Sequence, residues 1–488
     1  MMADHSALPS PLSEAYDPKH FRQWGHELID LLSDYIEQLA TDAPVLQYND
    51  PEAQWQYWQQ DAQQAPTGTP LPLFEDILQK SIHLHHPRYI GHQVATPAFA
   101  GALAGLVSDL LNNGTGVYEM GMVSNALERV LTDWLAQRIG FDAAAGGFLT
   151  SGGSLANLTA LLAARQHQAP GNVWKEGHGQ ALAIMVSEEA HYCIDRAARI
   201  MGLGDAGIIK VPVNEKFQIQ TELLNAYYQQ ALEAGRQVIA VVGCACSTAT
   251  GSFDNLEALA DFCAEKQLWL HVDAAHGGAV VFSEQHKALV KGIEKADSVT
   301  IDFHKMLLTP ALATALVFRQ GATAYQVFAQ QAQYLWDAQQ TTEWHNSGKR
   351  TFECTKFMMA IKAYAILKTH GEIIFTQNVE RLFALAQRFA DLVKQHPDFE
   401  LALRPEANIV NFRYINTNGA DLNDVNRTTR QALLHQGAFY IVQTMLHGAL
   451  YLRVSIMNPL TSEADLAALL HEVATLGAAA VSQNINLC

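Results

Sequence analysis

Between residues 98 and 303 the sequence keeps a regular rhythm. Helical stretches at 98–112, 122–139, 154–166, 190–201, 219–234 and 254–266 alternate with short apolar runs at 182–187, 208–213, 237–244, 268–273 and 297–303. Short strands separated by helices of this length specify βαβ units. Each parallel strand returns through a crossover helix, so both sheet faces are covered and the strands are apolar on both sides. The rhythm predicts an α/β lobe with a largely parallel sheet. The chain has 488 residues, more than a single core usually organises, so further lobes are expected. Residues 18–40 have helical periodicity and read as an N-terminal arm, and 41–70 read as a polar linker. A long helix at 349–369 and another at 373–396 precede the short strands IVNFRY, AFYIVQTML and YLRVSIM and a final helix at 462–476. The expected division is an arm with linker over 1–85, a large domain over 86–375, and a small α+β domain over 376–488.

Charge and composition exclude some functions. Lys and Arg number 32 against 49 Asp and Glu, a net charge of −17, which argues against a nucleic-acid partner. The N-terminus, MMADHSALPSPLSEAY, has no basic region followed by an apolar run, so no signal peptide is expected. No apolar run was expected to approach the roughly 20 residues of a membrane span, so no membrane partner is expected. The six cysteines are scattered and read as reduced thiols of a cytoplasmic protein. HLHHP at 83–87 lacks partners at ligand spacing, so no metal site is expected. GLGDAG at 202–207 fits a dinucleotide motif, but it follows a helix and precedes a strand, the reverse of what that motif requires.

An open parallel sheet binds ligands beyond the carboxyl ends of its strands. Four such ends carry polar residues. Thr150-Ser151-Gly152-Gly153-Ser154 opens a helix. Its amides, with no Cβ at Gly152 and Gly153 and a hydroxyl at Ser154, form an anion cradle or an ordinary N-cap. His191 follows a strand and opens a helix, placed either to stack on an aromatic ring or to cap. Asp273 ends LWLHVD before the small Ala274 and Ala275. It reads as a carboxylate for a ring nitrogen or as a turn aspartate. Lys305 ends ADSVTIDFHK, a run with Val299, Ile301 and Phe303 inside it. A desolvated lysine has a depressed pKa and attacks carbonyls; the alternative is a surface lysine at a strand end. A phosphate cradle, a stacking imidazole, a carboxylate and an amine together describe one cofactor, pyridoxal 5′-phosphate.

The sequence resembles the group II pyridoxal-phosphate-dependent amino-acid decarboxylases, the family of the glutamate, cysteine sulfinate, aromatic amino-acid and diaminobutyrate decarboxylases. The resemblance is carried by HPRYIGH (86–92), TSGGSLANLTALLAAR (150–165), HYCIDRAARIMG (191–202), TATGSFDNLEALA (248–260), WLHVDAAHGG (269–278), ADSVTIDFHK (296–305), SGKRTFECTKFMMAIKAYA (347–365) and YLRVSIMNPLT (451–461). It spans about 80 to 475. It implies a fold type I large domain, like other pyridoxal-phosphate-dependent transferases, with a mixed, mostly parallel seven-stranded sheet. It also implies a homodimer with shared active sites.

Residue roles follow from the resemblance. Lys305 attaches to the cofactor as a Schiff base, and His304 lies by the phosphate with Gly152, Gly153 and Ser154. Asp273 pairs with the pyridine nitrogen. His191 and Ala275 take opposite ring faces, and Thr248 lies near the ring. Arg453 receives a substrate carboxylate. Tyr334, in the Gln-rich stretch 329–342, corresponds to a loop tyrosine that, with His191, is a candidate to direct a proton to Cα. GTGVYEMGMV (114–123) places Tyr118 as a substrate contact, in the neighbouring subunit's pocket, with His92 and Gln93 as further contacts.

The sequence also departs from the family. Asp302 and Phe303 stand where many relatives have Asn and Pro, and Asp302 is expected to point away from the phosphate. Leu155 replaces a common Glu, and His276 adds a titratable group. The expected reaction is α-decarboxylation of a short polar amino acid, either L-2,4-diaminobutyrate or an acid such as aspartate, glutamate or cysteine sulfinate. An aromatic substrate, or an aminotransferase or other lyase on the same fold, is the alternative. A non-catalytic scaffold would need a broken site, and Lys305, Asp273, His191 and Arg453 are all present.

Overall fold

The computed structural model describes residues 9–10, 12–39, 43–328 and 343–485. Seven strands form the main sheet: β1 Gly146–Thr150, β2 Ala181–Ser187, β3 Ile208–Val211, β4 Arg236–Cys244, β5 Trp269–Asp273, β6 Ser298–Asp302 and β7 Thr314–Phe318. Their order is β1-β7-β6-β5-β4-β2-β3. Strands β3, β2, β4, β5 and β6 pair in parallel, as the rhythm predicts. Strand β7 runs antiparallel to both β6 and β1. Residues 303–313 between β6 and β7 hold no crossover helix, so β7 returns antiparallel. Strands β5 and β6 are buried along their whole length, as a sheet covered on both faces requires.

Strands β1 and β7 had no place in the predicted rhythm. GGFLT and TALVF are only five residues each, and the sequence marks β1 just by its end, where Thr150-Ser151-Gly152-Gly153-Ser154 opens a helix. The glycine at 147 serves close approach: a Cβ there would stand 2.6 Å from Leu316 O on β7.

The small sheet comprises β8 Phe399–Leu401, β9 Ile409–Tyr414, β10 Val442–Leu446 and β11 Ala449–Ser455, all antiparallel, in the order β10-β11-β9-β8. One continuous apolar core joins the sheets, with Val241 and Val272 in the same cluster as Phe412 and Leu452. That packing holds β11 against the carboxyl end of the main sheet.

Three expectations need correction. The helix expected from 349 begins only at Met359. Before it, buried cations claim specific partners instead of helical geometry. Arg350 donates to Gly147 O and Trp344 O, and Lys356 donates to Glu128 and Leu149 O. The polar linker contains a helix, Pro51–Asp61, capped by Asp50 with Pro51 at its first position. The last helix runs over Glu463–Ile485, and its stretch 463–482 is long and apolar enough to cross a membrane. Leu466, Leu469, Leu470 and Val473 bury one face of it in the core, packed on the helices Leu422–Gln436 and Ile373–Gln395.

Candidate active site

The parallel strands all present their carboxyl ends on one side. A pocket of about 580 Å3 opens there, lined by Gly152, Gly153, Ser154, His191, Thr248, Asp273, Ala275, His304, Lys305 and Arg453. The four predicted strand ends therefore meet, joined by Arg453 from β11.

The cradle is the start of the helix Gly153–Gln168. Gly152 has φ 146°, a conformation that L side chains rarely adopt. The first helical bonds run from Leu155 and Ala156 to Gly152 O, so the amides of Gly153 and Ser154 lie at the open helix start. A Cβ at Gly153 would stand 3.4 Å from Asp302 Oδ1 and 3.7 Å from the Ala275 methyl. The bare backbone leaves room for a phosphate at a helix N-terminus.

Asp273 is held by a directed hydrogen-bond chain. Trp269 Nε1 donates to Ser298 Oγ at 3.0 Å, and His271 Nδ1 lies 2.9 Å from that hydroxyl and 3.2 Å from Ser298 O. His271 Nε2 then donates to Asn157 Oδ1 at 3.0 Å, and Asn157 Nδ2 donates to Asp273 Oδ2 at 2.8 Å. The Ala275 amide donates to Oδ1 at 3.2 Å. Complete burial pushes the His271 pKa down to about 4, so the ring is the neutral link the chain needs. Both carboxylate oxygens are acceptors, which suits a group that faces a protonated ring nitrogen. Sequence reasoning missed Asn157 and His271. Their signals were present: Asn157 lies one turn after Gly153 on its helix, and His271 shares a strand face with Asp273.

His191 satisfies both of its readings. Its Nδ1 accepts from Cys193 N at 3.3 Å as a cap, and its ring lines the pocket. Burial pulls its pKa down. Arg453 Nη1 donates to Thr248 O at 2.8 Å, while its buried Nε has no partner. Gln93 Nε2, also on the wall, is likewise buried and unpartnered. His92 lines the same wall with its pKa lowered by burial. His304 pairs through Nδ1 with the Ala313 backbone. His276 Nε2 lies 2.7 Å from Asn408 Oδ1, and burial pushes the pKa down to about 3.

Two expectations fail at the lysine. Asp302 does not point away: its Oδ2 lies 3.0 Å from Lys305 Nζ. The Lys305 pKa is not depressed either. Burial lowers it, but the charges of Asp302 and Asp273 outweigh burial and hold it above the ordinary lysine value. The pair with Asp302 thus favours the ammonium form of Lys305.

Tyr118 is not in this chain's pocket. It is 43% exposed, its amide donates to Asn346 Oδ1, and its ring meets His345 edge-on. Tyr334 lies outside the described residues. The three histidines of HLHHP serve packing. His83 bonds Tyr35 Oη, His85 stacks on Phe99, and His86 bonds Ala43 O.

The cradle, the amine and the anchored carboxylate fit a phosphorylated pyridine aldehyde. The chain matches the family described as pyridoxal-dependent decarboxylase conserved domain over residues 57–415. It is 25% identical over 472 residues to an aromatic-L-amino-acid decarboxylase of Bacillus atrophaeus, covering 94% of this chain and 95% of that protein. It is 26% identical over 497 residues to an acidic amino acid decarboxylase of Homo sapiens, covering 98% and 94%. The crystal structure of mouse CSAD in apo form superposes with a TM-score of 0.87 at 25% identity, covering 94% of this chain and 99% of that one.

Proposed function

The chain belongs to the pyridoxal-dependent decarboxylases, and from that premise we propose that it decarboxylates a short acidic L-amino acid to CO2 and a primary amine. Membership makes it a carboxy-lyase using pyridoxal 5′-phosphate. The choice of acid rests on one observation about the wall. Arg453 Nε and Gln93 Nε2 are buried donors with no partner. The carboxylates that line the same pocket, Asp273 and Asp302, are already engaged. Unpaired buried donors are costly until an acceptor arrives, and a substrate carboxylate is such an acceptor. Of the lining carboxylates, Asp273 is held by Asn157 and the Ala275 amide, and Asp302 is held by Thr314 against the phosphate cradle.

The bound cofactor supplies a protonated ring that draws electrons from the Cα–carboxylate bond. The chain's residues do the rest. Gly152, Gly153 and Ser154 bind the phosphate beside His304. Asp273 holds the proton on the ring nitrogen, kept in place by Asn157. His191, Ala275 and Thr248 line the part of the pocket that would hold the ring. Lys305 would be the amine that holds the cofactor through its aldehyde carbon. Arg453, His92 and Gln93 orient the substrate's carboxylates. His191 or Tyr334 directs a proton to Cα.

We also propose a homodimer with shared sites. The helix Phe99–Leu111 exposes Phe99, Leu103, Leu106 and Leu110, and Met120 and Val123 are exposed nearby in sequence. Apolar exposure on this scale marks an interface. Tyr118 belongs to the same exposed stretch, where it can serve the partner's pocket. Mixing Lys305→Ala with Tyr118→Ala chains then regains activity in heterodimers that hold one intact site; no regain refutes the sharing.

The substrate proposal is tested by CO2 release from the cofactor-loaded protein against aspartate, glutamate, cysteine sulfinate, diaminobutyrate, tyrosine and tryptophan. CO2 from the acids with stoichiometric amine supports it. CO2 only from diaminobutyrate or an aromatic amino acid refutes the acidic reading. Amino-acid consumption without CO2 would point to transamination.

A further inference from the structure

Strand β6 ends in a carboxylate that the proposed reaction does not use. Asp302 is 3% exposed, and its amide donates to Ala275 O at 3.1 Å. Thr314, its register partner on β7, donates to Oδ1. Oδ2 lies 3.0 Å from Lys305 Nζ and 3.6 Å from His304 Nε2. Oδ1 lies 3.4 Å from where a Gly153 Cβ would stand, so this buried anion sits against the phosphate cradle. An anion in that position is unfavourable toward an incoming phosphate unless a cation accompanies it. Lys305 is that cation.

We propose that Asp302 is a positioning residue that latches Lys305 as a paired ammonium in the cofactor-free enzyme, so that cofactor capture must break this pair and release a proton. The inference rests on Lys305 being the attachment residue. The ammonium loses one proton to solvent. The freed amine nitrogen then bonds to the aldehyde carbon, and the carbonyl oxygen leaves as water with the two remaining N–H protons. No electrons are transferred to an acceptor.

Other groups face the pair. Asp273 from β5 and Cys246 from the segment after β4 act on Lys305, and His304 acts on Asp302. His191 and His276 interact with both members, and Arg453 and Arg196 stand behind these two histidines. Asp273 has its own anchors in Asn157 and Ala275, whereas Asp302 is the ion-pair partner of Lys305 among the described residues. Asp302 is therefore the direct partner of Lys305, and Asp273 adds to the field at longer range.

The test is the rate at which stripped protein captures pyridoxal 5′-phosphate, followed by visible absorbance from neutral to alkaline pH. In wild type the rate rises with pH as the ammonium gives up its proton. Asp302→Asn keeps the shape and removes the charge. The expected result is a midpoint displaced to lower pH by about one unit, with about tenfold faster capture at neutral pH. Asp302→Ser also removes the charge, with a smaller side chain, and should displace the midpoint in the same direction. That second variant keeps the test open if Asp302→Asn does not fold. A midpoint unmoved in the folded variants overturns the latch. So does a rate raised equally at every pH, which would be phosphate repulsion alone. Failure of the Lys305 assignment is a separate result: Lys305→Ala would still develop the absorbance of the covalently bound cofactor.

Discussion

Asn157→Leu isolates the contribution of the chain that anchors Asp273. The substitution nearly conserves volume but removes three hydrogen bonds, the 2.8 Å bond to Asp273 Oδ2, the 3.0 Å bond from His271 Nε2 and a 3.3 Å bond to Cys193 Sγ. A hydrogen bond to a charged group contributes about 1.5–3 kcal/mol. If that carboxylate reaches the cofactor's ring nitrogen only when so held, affinity for pyridoxal 5′-phosphate falls about ten- to hundredfold. The stranded His271 N–H adds a desolvation cost of about 1–3 kcal/mol to the folded state itself. The assay is equilibrium titration of stripped protein with the cofactor, read by absorbance, beside a thermal melt of the same sample. Both readouts should fall. Affinity within about twofold of wild type would refute the reasoning, because the relay would then do nothing for the carboxylate. A lower melting temperature with unchanged affinity would reduce Asn157 to a packing role.

Lys356→Met should destabilise the fold by about 3–5 kcal/mol, because it strands Glu128 buried without its 2.8 Å partner. Adding Glu128→Gln should recover much of that loss in a denaturant titration; no recovery would mean the pair is not the cause. Stability of the stripped protein should fall on acidification. Burial holds His271 at about 4 and His276 at about 3, below the ordinary value of about 6.5. In that window the unfolded chain binds more protons, so stability is lost as pH drops. Buried Asp254, pushed up to about 6, takes its proton earlier when folded and offsets one of the two. These three groups alone leave about one proton, or about 1.4 kcal/mol per pH unit, and the burial-lowered histidines His83, His85, His86, His92, His191 and His286 act in the same direction. Denaturant midpoints across that range should show the slope, and His276→Gln should flatten it; an unaltered slope in that variant contradicts the assignment. Tyr334→Phe should retain cofactor and yield carbonyl product in place of amine. An unchanged amine yield would remove Tyr334 from the proton transfer.

The sequence carried most of the site because each part sits at a strand end. Gly152, His191, Asp273 and Lys305 are spread over more than 150 residues, yet strand rhythm alone predicts that they converge, since parallel strands share one carboxyl edge. Pairwise electrostatics was not legible. Asp302 looked awkward beside a phosphate in the sequence, but its own strand end turns it back on Lys305 three residues later. The lysine pKa was misread for the same reason: burial was foreseeable and the partner was not. Asn157 and His271 were hidden among apolar neighbours on interior faces, where a polar residue reads as incidental until its partners are seen. The region 349–358 was misread as helix because its periodicity was intact. The buried contacts of Arg350 and Lys356 that override it are with β1 and with residues 128 and 344, distant or outside any helical repeat.

Borohydride reduction of the cofactor-loaded protein, followed by digestion and mass mapping, tests the central claim most directly. The account predicts a single cofactor label on the peptide that contains Lys305, and none in Lys305→Ala. A label on another lysine, or none in the wild type, would contradict the assignment of this pocket as the catalytic site.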